Sequence, residues 1–134
     1  MKTGDREHAS LLEMKESVKK ARELTAFVRQ TETVQRYEKY LASLKAQPEV
    51  YAKLNVFRRK NMELQVLEQP ESYEEKTKQL QEEYKNILME SVVMDFLTAE
   101  QGVCKMMQKI YDTIAQEIPL DISYMDAEEQ EEMS

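Results

Sequence analysis

The stretch from Ser91 to Ile118 constrains the fold more than any other part of the chain. Its apolar residues fall at Val93, Phe96, Leu97, Val103, Cys104, Met107, Ile110, Tyr111, Ile114 and Ile118. Steps of three and four place them along one stripe of an α-helix. Asp95, Thr98, Lys105, Gln108, Asp112, Thr113 and Gln116 lie away from that stripe and give the helix a wettable face. Ser91 stands where an N-cap is expected. Pro119 ends the helix, because it has no N–H and restricts the residue before it. A helix of about 27 residues is on the order of 40 Å long. It is not stable in water with its stripe bare, so other helices must cover it.

Composition points to the same class. Charged residues make up 34% of the 134-residue chain and only two glycines are present, a pattern of long helices rather than sheets. Gly4 and Gly102 cannot form a phosphate-cradling loop, which excludes P-loop and dinucleotide-binding folds. The net charge of −7 is unevenly placed. Between Pro119 and Ser134 stand six acidic residues and no basic one, which leaves 19 basic against 20 acidic side chains in residues 1–118. A nearly neutral body carries no general electrostatic footprint for nucleic acid, so no direct nucleic-acid binding is expected. The start, Met1 to Leu12, is polar and has no apolar core, so no signal peptide is expected. No run approaches the 18 or more apolar residues of a membrane span, and a cytoplasmic protein without membrane insertion is the expectation.

Turn signals divide the chain into helices at about 9–30, 33–46, 48–68, 72–90 and 91–118. The first carries the stripe Leu11, Met14, Val18, Ala21, Leu24 and Phe27/Val28, and Thr31-Glu32-Thr33 interrupts it with two β-branched capping residues. Val34, Tyr37, Leu41 and Leu44 form the next stripe, and Gln47-Pro48 marks a kink or restart. Tyr51, Leu54, Phe57, Asn61, Leu64 and Leu67 follow, and Gln69-Pro70-Glu71-Ser72 is the clearest turn. Two long amphipathic helices joined so tightly form an antiparallel hairpin whose tip projects. The expected fold is therefore all-α: a single-domain helical bundle, residues 1–118, with a long antiparallel helical hairpin. The acidic tail, residues 119–134, is expected to be disordered and dispensable for folding.

Chemistry is harder to place. His8 is the sole histidine and Cys104 the sole cysteine, so neither a Cys/His metal cluster nor a nucleophile–base–orienter set can be assembled. Cys104 reads as a small buried hydrophobe on the closing stripe. The carboxylates Glu71, Glu74 and Glu75 lack the inward Glu-x-x-His pairs of a bundle di-metal site. Arg58, Arg59 and Lys60 point about 100° apart on a helix and read as salt-bridge partners rather than one phosphate-binding stripe. Glu100 interrupts the apolar stripe, which requires a partner, an edge position or an interface. Gly102 in mid-helix permits close helix approach. No catalytic, metal or cofactor residue emerges.

The order and spacing of these features resemble the YlbF/YmcA-like (Com_YlbF) family of Gram-positive bacteria over approximately residues 17–118. The first half of the resemblance rests on Leu24, Val28, Thr31-Glu32-Thr33-Val34, Tyr37, Tyr40, Leu44, Gln47-Pro48-Glu49 and Val56-Phe57. The second rests on Val93, Phe96, Ala99-Glu100, Val103, Met107, Ile110 and Ile114. The resemblance implies a YheA/YmcA-like helical bundle that self-associates and has no enzymatic activity of its own. Similar family members act as regulators; some work with the membrane-anchored endoribonuclease RNase Y in mRNA maturation, affecting competence, sporulation and biofilm formation. Members of that complex carry C-terminal cysteines associated with iron–sulfur clusters, whereas the tail here is acidic and has none, so no cofactor is expected. The expected partners are a second copy in a homodimer, other YlbF/YmcA-like proteins, or RNase Y. The residues expected to carry the core or the interface are Tyr37, Tyr40, Phe57, Phe96, Leu97, Glu100, Val103 and Met107. A structural or chaperone-like coiled-coil hairpin without a dedicated regulatory partner is the alternative.

Overall fold

The computed structural model describes residues 2–67 and 69–126, and no strand occurs among them. The helices are α1 (Lys2–Arg29), α2 (Glu32–Lys45), α3 (Pro48–Leu67), α4 (Pro70–Glu83), α5 (Lys85–Leu88) and α6 (Ser91–Glu117), followed by a 3-10 turn, Ser123–Asp126. The molecule is an all-α bundle in which α3 and α4 form the antiparallel hairpin.

Each break has a local cause. Of the two threonines between α1 and α2, Thr31 is the cap. Its backbone is extended, its hydroxyl donates to the Val28 carbonyl at 2.6 Å, and the same oxygen accepts from the Val34 N–H at 3.4 Å. Pro48 and Pro70 open α3 and α4, at first-turn positions where a missing N–H costs nothing. Helix α1 starts at Lys2, several residues before the expected start, since nothing between Glu7 and Ser10 breaks a helix and Gly4 meets no neighbour.

Three features differ from the sequence reading. The stretch 72–90 is not one helix: the chain leaves α-geometry at Tyr84 (φ −104°, ψ 16°) and resumes as the single turn α5. There the Tyr84 ring packs tilted on Phe57 at 5.6 Å and its hydroxyl accepts from Lys60 Nζ at 3.1 Å. The side chain is thus tied to α3 while the backbone turns to bring Ile87 and Leu88 onto the core. Ser91 is the first residue inside α6 rather than its cap; Glu90 takes the extended cap position without a side-chain bond. Beyond Pro119, the chain forms the Ser123–Asp126 turn, with the Ser123 N–H donating to Asp121 Oδ1 at 2.9 Å. Hydrogen bonding from the Ser123 hydroxyl, and then from this N–H, holds the Asp121 carboxyl below its usual range. Residues 127–134 of the acidic tail, for which disorder was expected, lie outside the described residues.

The core sits where α2, α3, α4 and α5 meet the first half of α6. Leu44, Leu54, Phe57, Leu80, Val93 and Phe96 are buried there, and Tyr37, Tyr40, Tyr51, Ile87 and Leu97 pack around them. Nothing comparable forms around α1, where Leu11, Met14, Val18, Leu24 and Phe27 are all exposed. The accessible surface is 11,730 Å². A compact monomer of this mass exposes roughly 7,300 Å². The exposed apolar residues of α1 and of the second half of α6 contribute to that excess.

Candidate functional site

Helix α6 has two halves of different character. In the first, Val93, Phe96 and Ala99 are buried, and Phe96 retains only 1% of its accessible surface. Tyr37 of α2 lies tilted against the Phe96 ring at 5.6 Å, and the Arg58 guanidinium of α3 covers the ring at 5.5 Å. Arg58 Nη2 also donates to Glu100 Oε2 at 2.5 Å. The carboxylate that interrupts the apolar stripe is therefore partnered across helices, by a cation that also shields the core ring. The three consecutive basic residues of α3 have separate partners. Arg59 pairs with Glu63 at 3.9 Å within its own helix, and Lys60 reaches Glu83 at 3.9 Å as well as Tyr84. The Tyr84 hydroxyl bond, followed by the charges of Tyr84 and Glu83, raises the Lys60 pKa above 10.5.

In the second half, the stripe continues but little covers it. Val103 and Ile110 are half-buried, while Met107 is 60% exposed and Ile114 55%. Together with Leu24 and Val28 of α1 and Val34 and Tyr37 of α2, these residues line an open apolar groove of about 400 Å³. The apolar surface runs on past the helix end, where Tyr111, Ile114, Ile118, Leu120 and Ile122 line a second hollow. A further groove between α2 and the middle of α6 is more polar, lined by Thr33, Arg36, Tyr40, Asp95, Thr98, Ala99 and Gly102.

The residues singled out from the sequence thus divide between two places. Phe57 and Phe96 are buried, Tyr40 and Leu97 are half-buried against the same core, and Tyr37 bridges core and groove. Val103 and Met107 line the open groove, and Glu100 stands at the boundary in its ion pair with Arg58. The placement of Cys104 as a buried residue is corrected: its thiol is exposed. One residue beyond Val103 means a rotation of about 100°, which takes Cys104 off the contact face. Met106 is the neighbour that turns inward instead. It is half-buried, with its sulfur 3.9 Å from the Thr31 hydroxyl at the α1–α2 junction. Sequence reasoning also missed the Arg58–Glu100 pair. The two residues are 42 positions apart, and only the folded chain, which sets Arg58 of α3 over the Phe96 ring of α6, brings them together.

Among the described residues, no group of His, Cys, Asp and Glu side chains is placed to hold a metal ion. No helix among them is long and apolar enough to cross a membrane. The arrangement offers an apolar surface for macromolecular contact rather than an enclosed polar cleft. Comparison with curated proteins and with solved structures returned no match. The family model for control of the competence regulator ComK, YlbF/YmcA, matches residues 17–119, the span from α1 through the end of α6, and the chain therefore belongs to the Com_YlbF family.

Proposed function

We propose that the protein is a non-enzymatic regulatory adaptor of the cytoplasm that acts through helix-to-helix contact, in RNase Y-dependent mRNA processing upstream of competence, sporulation and biofilm control. The observation that carries this reading is the open second half of α6, an apolar stripe from Val103 to Ile118 that its own chain leaves largely bare. Contiguous exposed apolar surface of this extent marks a protein–protein contact. Membership of a family that controls a competence regulator supports a regulatory use of that contact. The hairpin offers a poorer surface for holding clients. Its groove is lined by Lys60, Glu63, Lys76, Gln79 and Glu83 around Leu64 and Leu80, so charged and polar side chains border it on most sides.

The test is complementation. In a native-host strain lacking the gene, wild type should restore a ComK-dependent reporter and the RNase Y-dependent transcript ratios. Ile114→Glu, which changes the exposed stripe and leaves the core intact, should not. Full complementation by Ile114→Glu at wild-type abundance would overturn the surface as the functional one. Unchanged transcript ratios in the deletion strain would overturn the RNase Y assignment.

A further inference from the structure

Residues 118–124 break the helical period of the chain. Ile118, Leu120, Ile122 and Tyr124 alternate with Pro119, Asp121 and Ser123, which is the pattern of a strand with one apolar face. On a helix, steps of two turn by about 200° and would scatter these side chains around the axis. The chain leaves α6 at Ile118, and residues 119–122 belong to no helix. All four apolar residues are exposed, Leu120 at 80% and Tyr124 at 72%. Leu120 and Ile122 border the hollow at the end of α6 without being covered there.

The backbone of this segment has two unequal edges. In an extended chain, the N–H and C=O groups of successive residues point to opposite edges. One edge belongs to Pro119, Asp121 and Ser123. Pro119 has no N–H, and the Ser123 N–H is taken by Asp121 Oδ1 at 2.9 Å. On the other edge, the N–H and C=O of Leu120 and the N–H of Ile122 form no hydrogen bond among the described residues. The Ile122 carbonyl accepts from the Met125 N–H at 3.0 Å, so the Ser123–Asp126 turn ends the free run. A proline on the closed edge keeps a strand from pairing on both sides.

We propose that residues 118–122 add as a short strand to the open sheet edge of a partner protein, which has apolar pockets for Leu120 and Ile122 and basic side chains beside them. In this mode main-chain bonds hold the segment, and pockets for alternate side chains select it. The basic margin follows from the sequence. Asp121, Asp126, Glu128, Glu129, Glu131 and Glu132 stand within or after the segment, with no basic residue among them. The chain does not supply the sheet edge itself, since no strand occurs among its described residues. Two copies of the segment paired together would set like charges against each other. The proposal goes beyond the reading of α6 and does not rest on it, because Ile114→Glu leaves residues 118–126 unaltered.

Photo-cross-linking of the full chain in its native host, with the attachment point mapped, provides the first test. The probe p-benzoylphenylalanine at Leu120 or Ile122 should give a prominent adduct attached to the edge strand of a sheet in another protein. The same probe at Ser123, on the opposite face, should give several times less. The captured protein, once purified, is then bound to the full chain and challenged with a synthetic peptide of residues 117–132. The peptide should compete. N-methylation at Leu120 removes a pairing N–H and should weaken that competition about tenfold. N-methylation at Asp121, on the closed edge, should leave it unchanged. Attachment to a helix, to α6 or to a second copy would overturn the proposal, as would equal yields from Leu120 and Ser123 or no adduct at all. Equal losses from the two methylations would overturn strand pairing. Any of these results, together with failed complementation by Ile114→Glu, would leave α6 as the contact surface, so the two readings fail separately.

Discussion

The two halves of α6 carry the same sequence pattern and meet opposite fates. From Val93 to Glu100, inward positions are filled by Tyr37, Leu44, Leu54, Phe57 and the Arg58 guanidinium. From Val103 to Ile118, equally regular aliphatic positions face a groove and then solvent. Periodicity establishes that a face is apolar. Whether the chain itself covers that face depends on how many other helices reach it. Helices α3, α4 and α5 stop beside the first half, and only α2 and the end of α1 extend toward the second. The first half thus serves folding, and the second is available for contact.

The largest expected effect tests that division directly. Phe96→Ala removes an enclosed ring and should cost about 3–5 kcal/mol. Ile114→Ala should stay within about 0.5 kcal/mol for the monomer, as a change at an exposed site does. Urea titrations whose midpoints do not change with protein concentration would make the comparison. Similar losses from both variants would break it, and would mean that the second half is buried within a single chain.

Gly102 sits at the junction of the two halves and gives the next effect in size. A Cβ there would meet Thr33 Cγ2 at 3.4 Å, an ordinary contact, so close helix approach does not demand glycine. Gly102→Ala should therefore stabilise α6 by about 0.5–1 kcal/mol through the lower entropy cost of alanine in a helix. A measured destabilisation would show that α2 and α6 pack more tightly than 3.4 Å implies. The Arg58–Glu100 pair at the same boundary should couple more weakly. Its side chains are 41% and 26% exposed. A double-mutant cycle with Arg58→Met and Glu100→Gln should give about 0.2–1 kcal/mol. A coupling near zero would assign Arg58 to covering Phe96 alone.

How much of this was legible beforehand follows from the range of the interactions. The five-part division at Thr31, Pro48, Gln69-Pro70 and Ser91 was readable because capping and proline chemistry act within a few residues. The break at Tyr84 was not, because its cause is a contact with Phe57 and Lys60 on another helix. Cys104 was misplaced because two adjacent positions on a helix compete for one face, and apolar character alone does not rank them. The sequence showed that Glu100 needed a partner, an edge position or an interface, without deciding among them. Naming Arg58 required the fold that sets its side chain over Phe96, one turn of α6 before Glu100. The division of α6 was invisible in its own pattern, since both halves repeat it equally well.

The smallest expected effect belongs to the covered half, at the hairpin base. Lys60 donates to the Tyr84 hydroxyl and lies near Glu83, and these contacts raise its pKa above the ordinary lysine value of 10.5. Since the folded state holds this proton more tightly than the unfolded chain does, the contribution is fully present below pH 10.5 and is lost as pH rises through the higher folded value. Other groups also titrate in this range, so the informative quantity is a difference between variants. The wild-type advantage over Lys60→Met, read from urea midpoints, should be constant from pH 7 to about 10. It should then shrink toward pH 12. Tyr84→Phe, which keeps the ring against Phe57 and removes the accepting oxygen, should suppress most of that alkaline loss. An advantage that stays level through pH 12 would show that Lys60 is held by packing of its stem rather than by its proton, leaving the Phe57–Tyr84 ring contact as the tie that turns the chain from α4 into α5.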